Sequence, residues 1–131
     1  MWNELGSSPS ADEFEITVFG PGYGESVVVH LGKGEWLIVD SCVDTSDPKR
    51  QPAPLRYLRG LGVRPEHAVK FIVASHWDDD HVRGLSEIVM ASPAATFICS
   101  HVLPDEKFGS FVEALSIGSA ATEGGNVRNI R

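Results

Sequence analysis

The chain has 131 residues, 42% of them hydrophobic, with eleven basic against eighteen acidic side chains and a net charge of −7. This length and composition fit one folded globular domain and exclude a disordered or fibrous chain, while the acidic balance opposes nonspecific attraction to a phosphate backbone. Cys42 and Cys99 are too few and too far apart for a secreted disulfide framework or a C-x-x-C site, no apolar stretch approaches the roughly 20 residues that span a bilayer, and the N-terminus lacks a basic region followed by an apolar core, so the expectation is a cytoplasmic protein with reduced thiols and no membrane contact.

Residues 1–13 are polar and read as a mobile N-terminal arm. From Phe14 to Phe19 the sequence FEITVF alternates Phe14, Ile16 and Val18 with Glu15, Thr17 and Phe19, the pattern of a half-buried strand. Gly20, Gly22 and Gly24 then make a turn whose spacing is not that of a dinucleotide cradle. Glu25 to Leu31 and Glu35 to Asp40 are two β-rich runs joined by Gly32-Lys33-Gly34, which predicts a hairpin. Asp40 closes the apolar run from Trp36 to Val39; a carboxylate at the mouth of a buried strand needs partners, unless it only starts a turn before Ser41. Asp44 reads as a turn cap. Leu55, Leu58 and Leu61 recur at helical spacing with Gly62 placed to stop the helix, and His67 reads as a surface residue.

The next stretch, FIVASHWDDDHVRGL from Phe71 to Leu85, carries the chemistry. Phe71 to Ala74 suit a fully buried strand, and Ser75 ends it in a run with two imidazoles and three carboxylates. In an extended loop His76, Asp78 and Asp80 would point to one side, and His81 would be brought round as the chain turns. Mixed imidazole and carboxylate donors suit one or two divalent metals, zinc or manganese foremost, and a hydrolytic centre more than a closed structural one. The plain alternative is a solvated acidic loop with two incidental histidines. Val82, Leu85, Ile88 and Val89 mark a following helix that Ser92-Pro93 ends, and its first N–H groups could receive an anionic group. Ala95 to Cys99 is a further strand. His101 at its end is a candidate further ligand or a plain strand-end histidine, and Phe108, Phe111, Val112 and Leu115 predict a last helix. Residues 120–131 read as a linker or a cut end.

A strand, then H-x-D-x-D-H, then Gly-Leu and a helix resembles the metal-binding signature of the metallo-β-lactamase superfamily, whose commoner form is H-x-H-x-D-H-x-G-G. Asp78 stands where a histidine is usual, a variant similar to that of DNA-uptake channel metallo-β-lactamase domains and their stand-alone relatives, and Arg83 stands where a glycine is usual. The resemblance extends to the G-x-G turn, the hairpin and Asp40. It implies an α/β fold, half of a four-layer αββα sandwich with a mixed, largely antiparallel sheet flanked by helices, and places the half-domain at residues 14–119. It further implies that His76 and Asp78 hold a first metal, that Asp80 and His81 hold a second, with Asp80 at the catalytic centre, and that Asp40 orients the ligands from behind. Arg83 could pair with a phosphate oxygen.

By the same resemblance, the histidine completing the first metal's shell, the bridging aspartate and the last histidine are missing, so a second half is expected from another segment or chain, a homo-oligomer being one form. Metal-activated water near neutral pH, with added oxygen character from Asp78, points to a phosphodiesterase or nuclease type of hydrolase acting on a phosphoester. Two alternatives stay open: a non-catalytic assembly module with an incomplete metal site, and a thioester or lactam hydrolase of the same superfamily.

Overall fold

In the computed structural model the chain is described at residues 6–22, 24–75, 79–100, 113 and 126–130, with backbone alone for 21, 22, 79–83, 100 and 126–130. Six strands, β1 (Glu15–Gly22), β2 (Gly24–Gly32), β3 (Glu35–Val39), β4 (Val69–Ala74), β5 (Thr96–Ser100) and β6 (Asn126–Ile130), form one sheet in chain order. The first two pairings are antiparallel and the other three are parallel. The sheet is therefore mixed, as expected, but not largely antiparallel. Parallel neighbours need crossover connections, and α1 (Ala53–Gly60) with the short α2 (Pro65–Ala68) joins β3 to β4, while α3 (Asp79–Ala91) joins β4 to β5.

The predicted β2–β3 hairpin forms because Lys33 and Gly34 both take positive φ, 54° and 71°, which matches the twist of the flanking strands. His30, fully buried, fixes this turn. Its Nδ1 lies 2.8 Å from the Glu13 carbonyl and its Nε2 accepts the Gly34 N–H at 3.2 Å, which requires the neutral ring with the proton on Nδ1. Lys33 N–H also donates to the Ala11 carbonyl at 2.7 Å, so the end of the N-terminal arm is tied to the turn.

On one sheet face Val28, Ile38, Ile72 and Phe97 follow one another across β2 to β5, and Trp36 lies beside His30 with ring centroids 4.7 Å apart. Leu55, Tyr57 and Leu58 of α1, and Leu85 and Ile88 of α3, complete this core. Burying each such side chain stabilises the fold by roughly 1.5–3 kcal/mol. Leu61 and Gly62, the latter at φ 77°, end α1 as its sequence predicts.

The opposite face is apolar and, among the described residues, left without a cover. Val18, Val27, Val39, Val73 and Ile98 lie in one row across five strands, and Ile16, Val29, Leu37 and Phe71 in the next. None of these is buried; Ile16 is 59% exposed and Val18 67%. The alternation in β1 does form a strand, but its Ile16 and Val18 point away from the helices. Phe19 packs inward on Tyr57, whose hydroxyl donates to Glu15 at 2.7 Å and accepts from Thr17 at 3.2 Å. For the same reason β4 is not fully buried, since Phe71 faces the uncovered side at 38% exposure. The expected last helix, between Asp105 and Ser119, lies outside the described residues apart from Glu113. β6 occupies a stretch where the sequence shows no strand periodicity.

Candidate metal centre

The carboxyl ends of β3 and β4 lie side by side in parallel register, Val39 opposite Val73, and such ends are where open α/β sheets place their ligands. Asp40 extends this pairing by donating its N–H to the Val73 carbonyl at 2.8 Å. It then turns into the left-handed region at φ 57°, a conformation that aspartate tolerates better than most residues and that clusters at functional sites. The Ser26 hydroxyl lies 3.1 Å from both the Val39 and Asp40 carbonyls, holding the turn from below. Asp40 Oδ1 accepts the Ser75 N–H at 2.7 Å, and Oδ2 accepts the Ser75 hydroxyl. The buried carboxylate thus grips the residue immediately before His76 in the sequence.

His76 and Asp78 lie outside the described residues, as does His101. Asp80, His81 and Arg83 have described backbone within α3, and their side chains, with the ligand, catalytic and substrate roles expected of them, also lie outside. The backbone corrects one expectation. Asp80 does not alternate with His76 in an extended loop, because α3 has already begun at Asp79 and acidic residues are favoured in the first turn of a helix. Among the described residues no group of three or more His, Cys, Asp or Glu is arranged to hold a metal.

Ser41 and Gly84 contribute what the sequence reading missed. A Cβ built on Gly84 would stand 2.6 Å from Ser41 Oγ and 3.4 Å from its Cβ, so only glycine lets α3 pack this closely on the turn after β3. The glycine that Arg83 replaces is therefore not the one that makes this contact. A glycine inside a helical pattern costs about 1 kcal/mol against alanine, and that cost was the sequence signal of a packing constraint. Gly84→Ala is expected to lower stability by about 1–3 kcal/mol through overpacking, with Ser41→Ala in the same chain recovering part of the loss. Chemical denaturation of the two single variants and the double variant reads this; a neutral Gly84→Ala would contradict it.

Asp44 caps a turn as expected, taking the Ser46 N–H at 2.8 Å, and pairs with Arg56 at 3.6 Å. Cys42 and Cys99 are both buried and form no disulfide. Burial, with the Asp44 charge adding to it, pushes the Cys42 thiol up to about 11, and burial raises Cys99 as well. Both are poor nucleophiles and poor ligands near neutral pH.

Residues 19–121 match the family profile described as Metallo-beta-lactamase superfamily. The chain belongs to that superfamily. Members generally bind divalent metals such as zinc, and the fold is of metal-dependent hydrolase type. Among curated proteins, "Putative diflavin flavoprotein A 2" from Nostoc sp. (strain PCC 7120) is 32% identical over 91 residues, covering 70% of this chain and 15% of that protein. Among solved structures, "putative diflavin flavoprotein A 5 (fragment 1-254)" from Nostoc sp. PCC 7120 aligns at a TM-score of 0.51 and 14% identity, which shows the fold alone. The alignment covers 92% of this chain and 51% of that fragment, so this metallo-β-lactamase chain spans about half the length of its solved counterpart. Among the described residues no helix is long and apolar enough to cross a membrane.

Proposed function

We propose that this chain is the metal-motif half of a metal-dependent hydrolase of phosphodiesterase or nuclease type. The observation that carries the reading is the Asp40 carboxylate closed on Ser75, directly before the H-x-D-x-D-H run, in a chain that belongs to the metallo-β-lactamase superfamily. The donor chemistry of that run fits a divalent metal: His76, Asp78, Asp80 and His81 would hold one or two ions, zinc or manganese. When bound, such an ion supplies Lewis acidity that activates water near neutral pH. The chain's own part is to hold the run rigid through Asp40, to place Asp80 at the centre of the chemistry, and to offer Arg83 to a phosphate oxygen.

The remaining ligands come, in this reading, from a second half-domain seated on the uncovered apolar face. That half lies in another segment or another chain, a second copy included. Buried cysteines outside any disulfide suit a reducing compartment, the cytoplasm here. A second reading is favoured by the 32% identity to a protein whose name is that of a diflavin flavoprotein: a metal-holding module of a flavin-linked redox protein. Imidazole and carboxylate donors also suit iron.

Metal content of the purified chain, with Asp80→Ala and His81→Ala beside it, followed by hydrolysis of a generic phosphodiester with added Zn²⁺ or Mn²⁺, decides among these. Bound zinc or manganese, lost in both variants and accompanied by turnover, supports the hydrolase. Iron as the retained metal, without phosphodiester turnover, moves the assignment to the redox reading. No metal under any loading condition sinks both.

A further inference from the structure

We infer that Ser41 is a positioning residue for the metal run, donating its hydroxyl to a motif carboxylate when the run holds a metal; this rests on the metal-binding reading above. Ser75 directly precedes His76, and Gly84 stands three positions after His81. These two flanks of the run touch adjacent residues of one dipeptide. Asp40 takes the backbone N–H and hydroxyl of Ser75, while Ser41 Oγ fills the space beside Gly84 that a Cβ would need. The dipeptide is held in a single conformation by the positive φ of Asp40 and by the Ser26 hydroxyl on its carbonyl.

The second observation concerns the hydroxyl itself. Ser41 is 1% exposed, and its Oγ is a buried polar atom without a hydrogen-bond partner among the described residues. An unpaired buried hydroxyl is costly, and each such group in a native structure calls for an explanation. Helical spacing supplies one. Asp80 and His81 precede Gly84 by four and three residues, which places them on the same face of α3, one turn nearer its start. A carboxylate ligand uses one oxygen for the metal and leaves the other to accept a hydrogen bond, and outer partners of this kind orient metal ligands. Ser41 Oγ lies against Gly84, one helical turn along the backbone from Asp80, with a donor to give.

Ser92 provides the internal control. Its Oγ is equally buried and equally without a partner among the described residues, but it follows the far end of α3. The test is a competition titration of Zn²⁺ or Mn²⁺ against a chromophoric chelator on the full chain, Ser41→Ala and Ser92→Ala, with the thermal midpoint of each chelator-treated protein. Ser41→Ala should bind metal about tenfold or more weakly while its midpoint holds or rises, because the variant removes an unsatisfied buried group. Ser92→Ala should leave the affinity unchanged. An affinity for Ser41→Ala equal to wild type overturns the inference, as does an equal loss in Ser92→Ala, which would reveal a packing effect. A wild-type chain that binds no metal overturns the metal reading, and this one with it.

Discussion

Asp40→Ala should be the most damaging single change at the site, lowering stability by about 2–4 kcal/mol. Two costs add. The Ser75 N–H and hydroxyl lose the carboxylate that they share, at about 1–2 kcal/mol, since Ser75 is exposed and water takes over part of the pairing. Alanine must also take the φ of 57° that aspartate adopts here, at a further 1–2 kcal/mol or so. Asp40→Asn separates them: its amide oxygen still accepts the Ser75 N–H and asparagine tolerates this conformation, so a loss of only about 1 kcal/mol is expected. Asp40→Gly removes the backbone strain without restoring the acceptor, and should fall between the two. Urea denaturation of the three variants reads the order Asn, Gly, Ala from most to least stable. An alanine variant as stable as the asparagine one would show that the carboxylate does not hold Ser75 in solution.

Replacing Ile16 and Val18 together by lysine should leave the chain folded and abolish its association through the sheet face. Both residues lie on an edge strand, well exposed, away from the α1 and α3 core, so the cost to the isolated chain is expected within about 1 kcal/mol. The rows that they open run uninterrupted by charge across Val27, Val29, Leu37, Val39, Phe71, Val73 and Ile98. A contiguous exposed apolar surface of this kind marks an interaction site or an aggregation hazard. Burying two unpaired ammonium groups there would weaken any sheet-on-sheet contact by 100-fold or more, on the order of 3 kcal/mol. Sedimentation velocity and binding of an apolar-surface dye should show an associating, dye-binding wild type and a monomeric variant with several-fold less dye bound. A wild-type chain that stays monomeric at high concentration and binds no dye would mean that the face is covered in solution, and the second half-domain would lose its seat.

The site is less legible in the sequence than the fold. The H-x-D-x-D-H run stands out because five ionisable side chains follow an apolar strand, and Asp40 because a carboxylate ends another. What supports them does not stand out. Ser41, Ser75 and Gly84 are small, common residues whose roles depend on which other segment reaches them, 35 positions away for Ser75 and Asp40 and 43 for Ser41 and Gly84. The spacing suggests an extended loop for Asp80 where the structure has a helix, because acidic residues suit both a metal-binding loop and the first turn of a helix, and spacing alone does not say where the helix begins.

The sequence by itself determined the local elements: the hairpin at Lys33-Gly34, α1 with its stop at Gly62, the helix after the motif, and the strand at Thr96, all set by short-range pattern and turn chemistry. Only the tertiary structure decided which side of each strand became the core. Alternation defines two faces of β1 without saying which one the helices will cover; Tyr57 on α1 closed over Glu15, Thr17 and Phe19, and left Phe14, Ile16 and Val18 outside. The same packing put Ser41 against Gly84 and Asp40 against Ser75, because contacts between distant segments depend on how the elements dock, which no local period encodes.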